Sequence, residues 1–330
     1  MTHPAHGAVT LAELWRGPFL ECAHQGHAVV CDDTGQIVQA WGVPEAVVLP
    51  RSASKMLQAL PLIESGAAKA HDLGTQHLAL ACASHQGATI HTEKVGTWLD
   101  HIGCCDDDFR CGPRPPGDEA VHDDMIRANQ SPRRIHNTCS GKHAGFLTLS
   151  QYLNGDPNYI ALDHPVQKAC LEAFERITQE TSPGHGIDGC SAPNFACTLH
   201  GMARAMARFA AAPDDSPMGQ LRTAMALHPD LVAGEGRACT RQMRAAGRGV
   251  AIKTGAEGYN IAILPDQKLG IALKITDGGT RASECAMAQI LVKLGALDPN
   301  HPEALAYTNG PIRNWDGLET GYLRAAPALL

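Results

Sequence analysis

Residues 249–275 read GVAIKTGAEGYNIAILPDQKLGIALKI. Three runs rich in Ile, Val, Leu, Ala and Tyr are divided by Gly-Ala-Glu and by Pro-Asp-Gln-Lys. Short β-favouring runs separated by turn formers predict three consecutive strands of a meander, at 249–253, 258–264 and 269–275. A helical pattern at 279–295 follows. Near the other end, HAVVCDDTGQIVQAWG at 27–42 places two β-rich runs on either side of Asp32-Asp33-Thr34-Gly35, which predicts a hairpin with its turn at those residues. Between these strand regions the apolar spacing is helical. Met56, Leu57, Leu60 and Ile63 form one stripe, and similar stripes occur around 75–83, 89–102, 164–178, 196–211 and 216–227.

Strands near both ends with helices between them predict an α+β architecture. The expected arrangement is a single domain over 1–330. Its antiparallel sheet comes from about 20–45 and 248–297, and its helical subregion from about 55–247. The polar, Pro/Gly-rich stretch CCDDDFRCGPRPPGDE at 104–119 is expected to be a loop flanking a site.

Composition narrows the function classes. Hydrophobic residues make up 44% of the 330 positions and charged residues 18%, which is ordinary globular usage and excludes disordered, collagen-like and coiled-coil readings. The net charge of −7 comes without a basic stripe, so no nucleic-acid partner is expected. No apolar run of membrane-spanning length occurs, and the first twenty residues lack a charged segment followed by an apolar one, so the expectation is a cytoplasmic protein with no membrane partner. In that compartment the twelve cysteines are expected to remain thiols.

Two short motifs carry nucleophile chemistry. Ser52-Ala53-Ser54-Lys55 follows a proline where a helix begins, and Ser and Lys at i and i+3 share one face of a first turn. Lys253-Thr254-Gly255 ends a predicted strand, where glycine permits close backbone approach. S-x-x-K with a later K-T-G is the pattern of penicillin-recognising serine hydrolases. A serine needs a base, and a lysine serves only when neutral, a state that burial and a neighbouring cation favour. The plain alternative is a solvated helix lysine at 55 and a strand-end lysine at 253.

Three further patches are polar. Ser84-His85-Gln86-Gly87 follows an apolar helix. Asn137-Thr138-Cys139-Ser140-Gly141-Lys142-His143 and Asp188-Gly189-Cys190-Ser191 each embed a cysteine among small polar residues. Cys139 and Cys190, with His143 and Asp188, are compatible with zinc. No C-x-x-C or H-x-x-x-H frame supports that reading, and by spacing two polar loops with incidental thiols are favoured.

Together these patches resemble the bacterial L-asparaginase II family of the inducible, thermolabile Rhizobium etli type. The resemblance rests on PRSASKMLQALP (50–61), ACASHQG (81–87), HNTCSGKHAGFL (136–147), DGCSAPNFA (188–196), HPDLVAGEGR (228–237) and KTGAEGYNIAIL (253–264). It implies a serine β-lactamase/penicillin-binding-protein-like fold, with the antiparallel sheet flanked by helices, and hydrolysis of L-asparagine to L-aspartate and ammonia by a homodimer. It also implies two Ser-Lys tandems. In the first, Ser52 is the acylated nucleophile and Lys55 its base. In the second, Ser84 and Lys253 relay protons or orient the substrate. A zinc ion at Cys139, Lys142 and Cys190 is implied as well, in a positioning or structural role.

An amino-acid pocket requires an acid, a base and uncharged donors. Arg51 is a candidate for the substrate carboxylate and Asp188 or Glu257 for its ammonium, with Asn137, His143 and Gly255 completing the wall. Arg51 as a helix-start residue and Glu257 in an ordinary ion pair are the alternatives. The chain departs from the family at Gln86-Gly87-Ala88, where a carboxylate is usual, and at Ser191, where glycine is common. Glutamine, another small amide or a β-lactam is an alternative substrate, and a non-catalytic amino-acid or zinc-binding module is the alternative from another class.

Overall fold

The computed structural model describes residues 5–330, so the first four residues of the N-terminal stretch read above lie outside it. The chain divides into two compact units.

The sheet unit comprises the residues up to Ala53, Cys197–Ala211 and Arg241–Leu330. Its eight-stranded antiparallel sheet runs in the order Asn309–Arg313, Glu319–Ala325, Val9–Arg16, Phe19–Cys31, Leu269–Ile275, Tyr259–Leu264, Ala251–Gly255, and Ile37–Trp41 also pairs with Phe19–Cys31. The hairpin and the meander form as expected. Phe19–Cys31 is long enough to serve two partners along one edge, Val9–Arg16 along its first half and Ile37–Trp41 along its last residues. Its other edge pairs with Leu269–Ile275, Cys31 facing Gly270. Every residue of Tyr259–Leu264 is buried, so both faces of the sheet are covered there.

The sheet exceeds the expected stretches on one side. Val9–Arg16 and the hairpin 309–325 add three strands. The helix Leu199–Ala211, which the apolar spacing assigned to the helical subregion, packs instead on this sheet. Gly270 is the reason it can. A Cβ there would stand 2.0 Å from Ala207 N, so only glycine admits the helix backbone so close.

The helical unit comprises Ser54–Ala196 and Ala212–Thr240. Its main helices are Lys55–Glu64, Thr75–Ala81, Thr89–His101, Ser140–Tyr152, Pro165–Thr178 and Pro217–Leu227. Ser140–Tyr152 is the central one, buried from Ser140 to Ser150. The sequence reading treated its first turn as a polar loop. Gly141 lets it seat, since a Cβ there would lie 2.4 Å from Leu80 O. Residues 104–118 are a loop, broken by one 3-10 turn at Asp106–Asp108, and Glu119 begins the helix Glu119–Arg127. Among the described residues no helix is long and apolar enough to cross a membrane.

Candidate active site

In the sheet unit, Arg51 and Ser52 lie in a 3-10 turn, Arg51–Ser54, that runs directly into the helix beginning at Lys55. Arg51 holds a left-handed backbone, φ 51°, a conformation costly for a residue with a Cβ and concentrated at functional sites. The turn closes through Ala53 N–H donating to Pro50 O at 3.0 Å. The Lys253-Thr254-Gly255 strand end abuts it. A Cβ on Gly255 would stand 2.6 Å from Pro50 O and 3.2 Å from Ala53 N, so glycine is what permits strand and Ser52 turn to touch. Lys253 is buried, and its Nζ donates to Thr254 O at 2.7 Å. Glu257 is exposed on the following turn, also left-handed at φ 61°, and Lys274 Nζ donates to its carbonyl. Arg51, Ser52, Lys253, Gly255 and Glu257 therefore belong to one unit.

In the helical unit, Lys55 is fully buried. Its Nζ donates to Ala83 O and lies 3.0 Å from Ser84 Oγ and 3.1 Å from Cys139 Sγ. The carbonyl can only accept, whereas the hydroxyl and thiol can each donate or accept. Nζ donates to all three, so its hydrogen-bonding capacity is fully used. This contact joins Lys55 to Ser84, a pairing that spacing along the chain does not reveal.

The Ser84 segment is held rigidly. Ser84 N–H donates to Val232 O at 2.8 Å and His85 N–H to Thr138 O at 3.2 Å. His85 is buried, and Gly87 N–H donates to its Nδ1 at 3.1 Å. Its Nε2–H therefore donates to Ser140 Oγ, 2.9 Å away. Gln86, at the first departure from the family, donates to Asp118 Oδ2 at 3.1 Å. The loop 104–118 thereby returns a carboxylate to the Ser84 segment.

Cys139, Cys190 and Lys142 come together, all buried. Lys142 Nζ lies 3.1 Å from Cys190 Sγ, and the two thiols are hydrogen-bonded to each other. That bond from Cys139, and then the Lys142 ammonium, hold Cys190 well below the ordinary thiol value despite burial. Cys139 is pushed up to about 12, first by its bond to Cys190 and then by burial. Burial opposes the charge on Lys142, but Cys190, Cys139 and Asp188 together raise it above the usual lysine value. Two soft sulfurs and one nitrogen gathered around Cys190 fit a zinc ion with one open position. Among the described residues no three His, Cys, Asp or Glu side chains gather as a metal site; the donor set here counts an amine.

The remaining expected residues frame this cluster. Asp188 carries the turn that presents Cys190, closed by Ser191 N–H to Asp188 O at 2.8 Å. Ser191 is left-handed, φ 70°, which explains why glycine is common there. Asn137 holds backbone at both ends of its amide, accepting from Cys139 N–H at 2.9 Å and donating to Gly112 O at 2.7 Å. His143 is buried, and burial pushes its imidazole well below the usual value. Tyr159 Oη, 2.8 Å from His143 Nδ1, accepts from Arg110 N–H, so its own hydrogen points to Nδ1 and the histidine proton sits on Nε2. Tyr159 and His85 are the supporting residues that sequence reading missed. His85 lies inside the Ser84-His85-Gln86-Gly87 motif, whereas Tyr159 carries no local signal.

Residues 12–325 match the family described as L-asparaginase II. The chain belongs to the L-asparaginase II family. That membership makes it an amidohydrolase of asparaginase type, acting on a small-molecule amide. No curated protein matches it by sequence. Among solved structures it is similar to a candidate β-lactamase from Bacteroides dorei, with 11% identity over 80% of this chain and 92% of that one and a TM-score of 0.44. A β-lactamase from Mycobacterium bovis shows 12% identity over 82% and 95%, TM-score 0.39. An octameric penicillin-binding protein homologue from Pyrococcus abyssi shows 12% identity over 92% and 84%, TM-score 0.36.

Proposed function

We propose that the protein is an L-asparaginase of the Rhizobium etli type, hydrolysing L-asparagine to L-aspartate and ammonia through a seryl acyl-enzyme. The observation that carries this reading is Lys55. It is a fully buried lysine whose amine is bonded to a seryl hydroxyl, three residues after another serine. In the proposed cycle Ser52 attacks the side-chain carboxamide carbon, Lys55 takes its proton, and the proton is delivered to the departing ammonia. Ser84 and Lys253 relay protons and orient the amide. Water then attacks the ester, with the same lysine as base, and aspartate leaves. Arg51 pairs with the α-carboxylate and Asp188 or Glu257 with the α-ammonium.

Cys139, Lys142 and Cys190 would hold a zinc ion, with Lys142 donating after loss of its proton; bound there, the ion would have a substrate-positioning or structural role and not supply the nucleophile. A homodimer in the cytoplasm remains part of this reading.

The direct test is ammonia release from L-asparagine and L-glutamine by wild type and by Ser52→Ala. Turnover of asparagine that disappears in the variant supports the reaction and the nucleophile together. Release from neither amide overturns it, and nitrocefin hydrolysis then tests the β-lactam alternative. A second reading, with Ser84 acylated, is favoured by the Lys55–Ser84 contact. Mass mapping of a trapped acyl-enzyme separates the two.

A further inference from the structure

Cys22 and His24 stand two residues apart on the strand Phe19–Cys31, so their side chains leave the same face. Irregularities of register flank them, between Thr10 and Ala12 and between Leu14 and Trp15 on the paired strand. Bulges of this kind re-aim side chains and recur beside reactive sites. Cys22 Sγ lies 3.6 Å from His24 Nε2, and His24 Nδ1 lies 2.6 Å from Asp277 Oδ2. Arg281 Nε donates to His24 Nε2 at 3.2 Å. An arginine can only donate, so Nε2 is unprotonated and Nδ1 carries the hydrogen to Asp277. The imidazole is thereby locked with one nitrogen anchored by a carboxylate and the single lone pair of Nε2 shared between Arg281 and the thiol, 3.2 and 3.6 Å away. Thiol, imidazole and carboxylate in that order form an activated sulfur nucleophile.

Nothing in the amide hydrolysis uses these residues. Cys22 is also one of few thiols that solvent can reach. Among the described residues the cysteines not buried are Cys22, Cys104 and Cys105. Cys104 accepts from the Gln151 amide at 3.2 Å. Cys105 is exposed and precedes Asp106, Asp107 and Asp108. Around Cys22 the charged groups are Asp277, Arg281 and the adjacent Glu21, which Arg281 also influences, with Lys274 acting on Asp277.

We propose that Cys22 is a reactive thiol that forms a mixed disulfide with low-molecular-weight disulfides of the glutathione disulfide class. The Cys22 proton passes to His24 Nε2, and Asp277 holds the resulting imidazolium. Sγ attacks one sulfur of the disulfide. The Cys22–glutathione S–S bond forms as the original S–S bond breaks, and the departing glutathione thiolate takes up the proton from His24. Cys22 is oxidised and the departing sulfur reduced. Protonation of Nε2 also removes the acceptor of Arg281, leaving the guanidinium to balance the charge on the attacking sulfur.

The test is incubation of the full-length protein with glutathione disulfide near neutral pH, followed over time by peptide mass mapping. Glutathione is expected on Cys22 first, about tenfold faster than on Cys105, the advantage a paired thiol holds over an unassisted one. His24→Gln and Asp277→Asn should each bring Cys22 toward the Cys105 rate while leaving Cys105 unchanged. Asp277 has a side chain 46% exposed, so that variant keeps the test valid if the buried histidine cannot be replaced. Modification of Cys105 ahead of Cys22, or a Cys22 rate that neither variant alters, overturns the proposal.

Discussion

Lys55 Nζ and Ser84 Oγ are 3.0 Å apart, the lysine fully buried and the serine half-buried, so a proton can pass between them directly. Replacing Lys55 by Met keeps the volume and removes the amine. Asparagine turnover should fall about 10²- to 10⁴-fold, the range for loss of a positioned base. Lys55→Arg should not rescue it, because guanidinium stays charged. Ammonia release decides this, and a variant within a few-fold of wild type would remove Lys55 from the chemistry.

Gly255→Ala addresses the contact between the strand end and the Ser52 turn. The added Cβ would meet Pro50 O at 2.6 Å, and Gly255 does not occupy the left-handed region, so the defect is purely steric. The expected cost is about 1–3 kcal/mol of stability together with most of the activity. Denaturant unfolding and ammonia release are to be read side by side; an unimpaired variant would mean that the turn tolerates displacement.

Ser191→Gly should stabilise. A left-handed residue with a Cβ costs about 1–2 kcal/mol, and glycine returns about 0.5–1 kcal/mol of that as lost chain entropy. The net gain, up to about 1.5 kcal/mol, should appear as a higher denaturation midpoint at unchanged slope. A lower midpoint would show that the Ser191 hydroxyl matters more than its backbone.

Elemental analysis tests the sulfur and amine cluster. Cys139→Ala, Cys190→Ala and Lys142→Met should each abolish stoichiometric zinc in purified protein. Cys190→Ala should also destabilise the metal-free protein by about 3–5 kcal/mol, because the buried Lys142 ammonium loses its counter-charge. Equal zinc content in all variants would place the metal elsewhere.

Acid stability follows from the buried His91 and the half-buried His77 and His136. Burial lowers the His91 imidazole below its usual value, and His77 and His136 shift the same way for the same reason. A depressed folded value means that the unfolded chain binds more protons. The stability these groups contribute is therefore complete above about pH 6.5, the unfolded value, and drains away as the pH falls toward the folded values. Unfolding free energy should decline below about pH 6.5, and His91→Gln should make that decline shallower. An identical slope in the variant would contradict the assignment.

The meander and the first hairpin were legible because their turns carry strong local chemistry, Asp32-Asp33-Thr34-Gly35 and Pro265-Asp266-Gln267-Lys268. Asn309–Arg313 was not, since Pro311 argues against a strand and is tolerated here in an edge strand. The helix Ser140–Tyr152 was hidden for a different reason. It is buried almost all round and opens on Ser-Gly-Lys-His, so it shows neither an apolar stripe nor a capping signal. Site residues such as Ser52, Lys55 and Cys190 lay in recognisable motifs. The Lys55–Ser84 bond, the thiol pair and the Tyr159–His143 support arise from segments far apart in sequence, and only packing brings them together.

The sheet order also constrains synthesis. Val9–Arg16 is synthesised well before Glu319–Ala325, which completes one of its two edges, with Ala12 opposite Ala325. Every residue between must be made before that edge closes. Until then the nascent chain carries an open strand with unpaired amides, a template for association with other chains. Closure of this sheet thus waits for Glu319–Ala325 and is dominated by non-local pairing, and recombinant yield should depend on chaperone capacity more than on codon-level pacing of the helical unit.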